Sequence, residues 1–157
     1  MYSSASTPKS PSRSRGISSA ALAPSHQLLE HTGELALLIR AGSFEELLAE
    51  AGRALAGVQL PASHGPPESD WEEIALQSAD REALLVDWLN ELIFRAERDR
   101  WVAVEFEIRH ASATHLVARA RGVRVTDAPA LVKAATLHEV RVDAVPGGVE
   151  AHVVLDI

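Results

Sequence analysis

The sequence contains no cysteine and few aromatic residues. Without cysteine among its 157 residues, the chain has no disulfide, no thiolate zinc site and no thiol nucleophile. Aromatic residues make up 4% of the chain and hydrophobic residues 46%, so we expect a core of leucine, valine, isoleucine and alanine. No apolar run approaches the ~20 residues that a membrane-spanning helix requires. This length and composition indicate one globular domain.

Acidic residues are absent from the first 25 positions. That segment is rich in serine and proline and carries Lys9, Arg13 and Arg15, a composition that cannot form a packed core. We therefore predict a disordered tail over residues 1–25 and one domain over residues 26–157.

The predicted domain is acidic. It holds 12 basic and 22 acidic residues, a net charge of −10. Phosphate contacts dominate the affinity of proteins for nucleic acids, so this domain is a poor binder of bare RNA or DNA. The charge is better suited to a cation or a basic protein.

Hydrophobic periodicity predicts an α+β fold. Two apolar stripes have the spacing of helices, and Ser43 with Glu46 has the pattern of a capping box before the first of them. Alternating segments predict strands, most of which follow the second helix. We expect a mostly antiparallel sheet with two helices packed on one face. The predicted helices cover 44–57 and 81–98, and the predicted strands cover 34–40, 71–79, 102–108, 114–123, 137–145 and 148–157, with a loop at 127–129.

Two carboxylates lie on the polar faces of the first and last predicted strands. Asp156 stands one residue from the terminal carboxylate of Ile157, and Glu34 begins the first strand. If these strands are neighbours, the acids would repel each other unless a cation or a basic partner joined them. Hard oxygen ligands of this kind suit Ca²⁺ or Mg²⁺. The alternative is that both acids are simply solvated at strand ends.

Motifs of common catalytic sites are absent. The sequence has no glycine-rich phosphate loop, no HExxH and no GxSxG. Glu34 and Asp156 could form a metal-dependent phosphodiesterase site, but no clear base or nucleophile accompanies them. His115, Arg119 and Arg121 form a small basic stripe, for which a solvated strand face is favoured over an RNA contact.

Four segments in a fixed order resemble the archease family. They are EHTGEL at 30–35, LLVDWLNEL at 84–92, KAATLHEV at 133–140 and VLDI at 154–157. The resemblance covers about residues 26–157. It implies an SHS2-type α+β fold, in agreement with the periodicity.

The resemblance also implies a function. Archeases are accessory factors of RtcB-type RNA ligases in tRNA splicing and RNA repair, and they promote ligase guanylylation and multiple turnover. We therefore expect a cytoplasmic, non-catalytic activator that meets RNA only through the ligase. The alternatives are a small metal-dependent phosphoesterase or nuclease, and a general protein-binding or chaperone-like module.

By the same resemblance, a divalent cation, usually calcium with magnesium as an alternative, would bind Glu34, Asp156 and Ile157. The family motif has alanine and aspartate where this chain has Gly33 and Glu34. Glutamate keeps the carboxylate but adds about 1.5 Å of reach. The site would therefore survive with altered affinity or be lost.

Three further residues are predicted to support the site or to contact the partner. His31 opens the first motif and would orient the metal ligands. Lys133 would hold an anion or a ligase carboxylate, with an exposed lysine as the alternative. His138 shares its strand parity with Val140 and Val142, which favours a hydrogen-bonded core or rim residue over a metal ligand. Leu137 stands where the family has tyrosine.

Overall fold

The computed structural model describes residues 20–127 and 132–157. Most of the predicted tail and of the predicted loop at 127–129 lies outside this part, so the division into tail and domain stays a prediction. The elements in chain order are β1 (Ser25–His31), β2 (Glu34–Ala41), α1 (Phe44–Gln59), β3 (Glu72–Gln77), α2 (Arg81–Asp99), β4 (Trp101–Ala111), β5 (His115–Arg124), β6 (Ala134–Val145) and β7 (Gly148–Asp156).

The strands form two antiparallel sheets. The larger sheet has the order β1-β2-β7-β6 and the smaller sheet has the order β3-β5-β4. Helix α1 contacts β2 and β4, and helix α2 contacts β6 and β4, so each helix packs against both sheets. The predicted α+β class and antiparallel pairing are confirmed. The strands divide between two sheets where we expected one, because alternation marks a strand without naming its partner.

Both helices begin at the capping residues that the sequence provides. The Ser43 hydroxyl accepts a hydrogen bond from the backbone N–H of Glu46 at 3.1 Å, and the Glu46 carboxylate accepts one from the N–H of Gly42 at 3.2 Å. At α2, the Asp80 carboxylate accepts from the N–H of Ala83 at 2.8 Å. These bonds satisfy amides that lack partners inside the helix.

The core lies between the helices and the inner faces of the sheets. Trp88 of α2 is fully buried, and its indole N–H donates to the carbonyl of Leu48 in α1 at 2.8 Å. Trp101 is also buried, and its indole N–H donates to the hydroxyl of Ser69 at 2.8 Å. Both tryptophans thus satisfy their polar group inside the protein. No helix in the described part is long and apolar enough to span a bilayer.

Strand β1 was not predicted. It pairs with β2 through a turn at Thr32 and Gly33, in which Gly33 has φ of +74°. Glycine adopts this left-handed conformation without steric cost, so the substitution of glycine for alanine in the family motif fits the turn. Before β1, the N–H of Leu22 donates to the carbonyl of Gly147 at 3.0 Å.

Two glycines of α1 are expected to respond oppositely to alanine. A Cβ on Gly52 would lie 2.6 Å from the ring of Phe106, whereas nothing lies within 4 Å of a Cβ on Gly57. Gly57→Ala should therefore raise the free energy of unfolding by up to about 1 kcal/mol through helix propensity. Gly52→Ala should lower it by about 1–3 kcal/mol through overpacking. Urea unfolding of the two variants measures both changes, and equal effects would contradict the packing described here.

Candidate functional site

Glu34 and Asp156 are directly opposite each other in the two central strands of the larger sheet. Glu34 begins β2, Asp156 ends β7, and they are Cα partners in the antiparallel ladder. Directly opposed residues point to the same side of a sheet, with Cβ atoms about 4.5–5.5 Å apart. The sequence could only state that the acids would meet if their strands were neighbours, and in the structure they are.

The two acids lie on the face of the larger sheet that points away from the core. We call this the outer face. Leu35 and Leu155, the next residues along each strand, belong to the core on the opposite side. The outer face of the central strands consists of Glu34, Ala36, Leu38 and Arg40 of β2 and of Glu150, His152, Val154 and Asp156 of β7.

Lys133 and Ile157 adjoin the acid pair. The backbone N–H of Lys133 donates to the carbonyl of Asp156 at 2.8 Å, and Ala134 is the Cα partner of Asp156 in β6. Both Lys133 and Asp156 are exposed, and Ile157 follows directly. The structure therefore brings together four of the predicted site residues at one corner of the sheet.

The opposite ends of the outer face differ in charge balance. At the far end, the guanidinium of Arg40 pairs with the carboxylate of Glu150 at 2.6 Å. Among the described residues, no lysine or arginine forms such a pair with Glu34 or Asp156. The corner at Glu34 and Asp156 thus presents two carboxylates outside any such ion pair, with Lys133 as the adjoining basic residue.

The predicted donor set at this corner has the oxygen chemistry that hard cations take. Across residues 20–127 and 132–157, no three His, Asp or Glu side chains cluster as metal ligands. The predicted set has only two such side chains, Glu34 and Asp156, and its third member is the carboxylate of Ile157. All the donors are anionic oxygens, which Ca²⁺ accepts in flexible arrangements and Mg²⁺ accepts only in near-octahedral ones.

Asn90 is a positioning residue that the sequence analysis missed. Its side-chain amide donates to the carbonyl of Ala135 at 3.0 Å and accepts from the N–H of Ala135 at 2.8 Å. Helix α2 thereby fixes β6 one residue beyond Ala134, the partner of Asp156. The available signal for this role was the position of Asn90, a polar residue in the middle of a mostly apolar helical segment.

The two predicted histidines take different positions. His31 is the Cα partner of Glu34 in β1, and its support of the metal ligands stays a prediction. His138 lies away from the acid pair, and its side chain is 68% exposed and contacts the carboxylate of Glu139 at 2.8 Å. The prediction of a core or rim position for His138 is wrong, because the β6–β7 register shifts between Thr136 and Arg141 and interrupts the strand parity.

The basic stripe on β5 is neutralised by its neighbours. Arg119 forms two hydrogen bonds of 3.0 Å with the carboxylate of Glu107, and these bonds lower the pKa of that carboxyl. Arg121 pairs with Glu105 at 2.7 Å, and both guanidinium groups lie over the ring of Trp71. Arginines paired in this way have little charge left for phosphates, in agreement with a solvated strand face.

The sequence matches a known protein family over the whole predicted domain. The Archease protein family matches residues 26–157. The chain belongs to the archease family. The four segments that suggested the family lie inside the match, and three of them contribute Glu34, Asp156 and Lys133 to the same corner of the sheet.

Curated archeases are similar along most of this chain. The archease of Methanosarcina mazei is 31% identical over 140 residues, which cover 84% of this chain and 95% of that protein. The archease of Methanopyrus kandleri is 32% identical over 136 residues, which cover 82% of this chain and 96% of that protein. The domain therefore has the length of its archease relatives.

Solved structures share the fold. Protein 1598 of Methanobacterium thermoautotrophicum matches with a TM-score of 0.68 and 25% identity, over 84% of this chain and 98% of that chain. The archease of Thermotoga maritima, described as a possible chaperone, matches with a TM-score of 0.60 and 21% identity, over 83% and 96%.

Proposed function

We propose that this protein is a non-catalytic activator of an RtcB-type RNA ligase. It would promote guanylylation of the ligase and multiple turnover in tRNA splicing or RNA repair, in the cytoplasm. The proposal rests on family membership together with one observation, the direct opposition of Glu34 and Asp156 in the central strands. These are residues that the archease resemblance assigns to the functional site.

The corner of the larger sheet that holds Glu34 and Asp156, which we call the acid corner, would act by binding to the ligase. Glu34 and Asp156 form no ion pair with a lysine or arginine of the described chain, so a partner that brings basic groups or a metal ion gains electrostatic energy on contact. Lys133, whose backbone is tied to Asp156, offers one ammonium group beside the acids for a ligase carboxylate. Contact with these groups would favour the ligase conformation that accepts GMP.

Glu34, Asp156 and Ile157 would hold a divalent cation, and the archease resemblance implies calcium, with magnesium as the alternative. Both cations take oxygen ligands of this kind. When bound, the cation would supply positive charge for anionic groups of the ligase or its nucleotide. Glu34 would reach it with one more methylene than aspartate. Asn90 would keep β6 against this corner through its two hydrogen bonds to Ala135.

The charge of the domain supports an indirect relation to RNA. Residues 26–157 carry a net charge of −10, and the arginines of β5 are paired with glutamates. An acidic surface repels phosphates. We therefore propose that the protein meets RNA only through the ligase.

A guanylylation assay tests this proposal. The RtcB-type ligase of the same organism is incubated with labelled GTP, and the covalent ligase–GMP adduct is followed in single turnover with and without this protein. We expect faster formation of the adduct with the protein present, and no label on the protein itself. An unchanged rate with correctly folded protein would contradict the proposal.

A chaperone-like role is the second candidate, because the Thermotoga maritima relative is described as a possible chaperone. That role would depend on the fold and on apolar surface, so Glu34→Gln and Lys133→Ala would leave partner activity unchanged. A phosphoesterase, in contrast, would hydrolyse RNA or phosphoesters alone and would lose that activity in Glu34→Gln.

A further inference from the structure

Strand β6 leaves the sheet for four residues. The β6–β7 ladder runs from Ala134 to Thr136, opposite Asp156 to Val154, and resumes at Arg141 opposite His152. Residues 137–140 therefore face the single residue Val153. An ordinary β-bulge inserts one extra residue, so this excursion, which we call the β6 bulge, is unusually large.

The β6 bulge is held in a defined and strained conformation. Glu139 has φ of 59°, a left-handed value that a residue other than glycine rarely adopts. Its carbonyl accepts a hydrogen bond from Nδ1–H of His152 at 2.9 Å, and His152 belongs to the outer face. Val140 packs against the core. Strain that persists at a surface site is typical of functional segments.

The β6 bulge carries the most exposed of the large apolar side chains in the described part. Leu137 is 64% exposed. It lies three residues beyond Ala134, the partner of Asp156, which corresponds to about 10 Å along the strand. Leu29 on the outer face of β1 and Ile157 are also exposed apolar residues near the acid pair. Exposed apolar groups that are rimmed by polar residues mark protein interaction sites.

We propose that the β6 bulge is the anchor with which this protein docks on its protein partner. Leu137 enters an apolar pocket of the partner, and basic groups on the rim of that pocket face Glu34 and Asp156. This inference rests on the proposed function, and it names the contact that gives the ligase complex its affinity. Charge complementarity selects the occupant, since an unpaired acid pair beside an apolar tip repels RNA and attracts a basic protein surface.

The preformed shape of the β6 bulge lowers the entropic cost of binding. Ordering a loop on binding costs conformational entropy, and a segment that is already fixed avoids that cost. The His152 hydrogen bond and the packing of the partly buried Val140 against the core hold the bulge before the partner arrives. A central apolar anchor of this kind typically carries a large share of the binding energy.

The test compares Leu137→Ser with Leu28→Ser. Leu28 is also an exposed leucine, 47% accessible, but it lies on the other face of β1 from Leu29. Binding of each full-length variant to the RtcB-type ligase is measured by titration calorimetry, with circular dichroism and thermal melting to confirm the fold. We expect Leu137→Ser to weaken the affinity at least about tenfold and Leu28→Ser to change it less than about twofold. Leu137→Met, which keeps the apolar volume, should retain the affinity.

Four outcomes would overturn the inference. If the wild-type protein binds and Leu137→Ser binds equally well, the inference fails while the proposed function stands. If the wild-type protein does not bind the ligase, both fail together. If analytical ultracentrifugation shows that the wild-type protein is a dimer and that Leu137→Ser is a monomer, the β6 bulge binds a second copy of the chain instead of the ligase. If the wild-type protein binds RNA in a gel-shift assay and Leu137→Ser does not, the β6 bulge binds RNA.

Discussion

Asp156→Asn is expected to reduce stimulation of the ligase at least about tenfold, which corresponds to about 1.4 kcal/mol. The substitution keeps the size of the side chain and one acceptor oxygen, replaces the other oxygen by an NH₂ donor, and removes the charge. Asp156 is exposed and opposite Glu34, so the variant should fold normally while the corner loses one of its anionic oxygens. Initial rates of ligation with increasing amounts of wild-type protein or variant measure the effect.

A matched control uses another exposed acid of the same sheet. Asp143 of β6 is the Cα partner of Glu150, at the far end of the outer face, so Asp143→Asn removes the same charge at a distance. We expect this variant to stimulate as well as the wild type. Equal losses in both variants would mean that the acid pair has no special role and that only the total charge matters.

Trp88→Ala is expected to have the largest effect on stability, a loss of about 3–5 kcal/mol in the free energy of unfolding. The side chain is fully buried and donates its indole N–H to the carbonyl of Leu48. It also meets the ring of Phe106 edge-on, with centroids 5.9 Å apart. The variant would leave a large cavity and remove the hydrogen bond that joins α2 to α1. Guanidinium unfolding followed by circular dichroism measures the loss.

Trp71 provides the control for this variant. It directly precedes β3 of the smaller sheet and is half-buried, with the guanidinium groups of Arg119 and Arg121 over its ring. Exposed cation–π contacts contribute about 0.5–1 kcal/mol, so Trp71→Ala should cost far less than Trp88→Ala. Equal costs at the two positions would contradict the assignment of Trp88 to the centre of the core.

The helices were predictable because their signals are local. The capping pair Ser43 and Glu46 and the apolar stripe through Trp88 fixed α1 and α2 to within two residues at each end. Strand β1 was missed because its alternation is weak, with Leu28 and Leu29 adjacent. The turn at Gly33 was the local signal that would have revealed it. The division into two sheets depends on partners distant in sequence, which no local pattern specifies.

The acid corner was partly predictable and the β6 bulge was not. Alternation put Glu34 and Asp156 on polar strand faces, and the family resemblance singled them out, but only the register of β2 and β7 shows that they are opposed. His138 was misplaced because parity counting assumes an unbroken ladder. The register shift after Thr136 is accompanied by the packing of Val140 against the core and by the hydrogen bond of His152, neither of which has a sequence signature.

The most direct test of the account is the number of RNA ligation events that each ligase molecule completes, with and without this protein. The protein is added in substoichiometric amounts to the RtcB-type ligase of the same organism with excess RNA and GTP. We predict many turnovers per ligase with wild-type protein, and turnovers close to the unstimulated number with Asp156→Asn. Equal turnover with and without the wild-type protein would show that it does not activate the ligase.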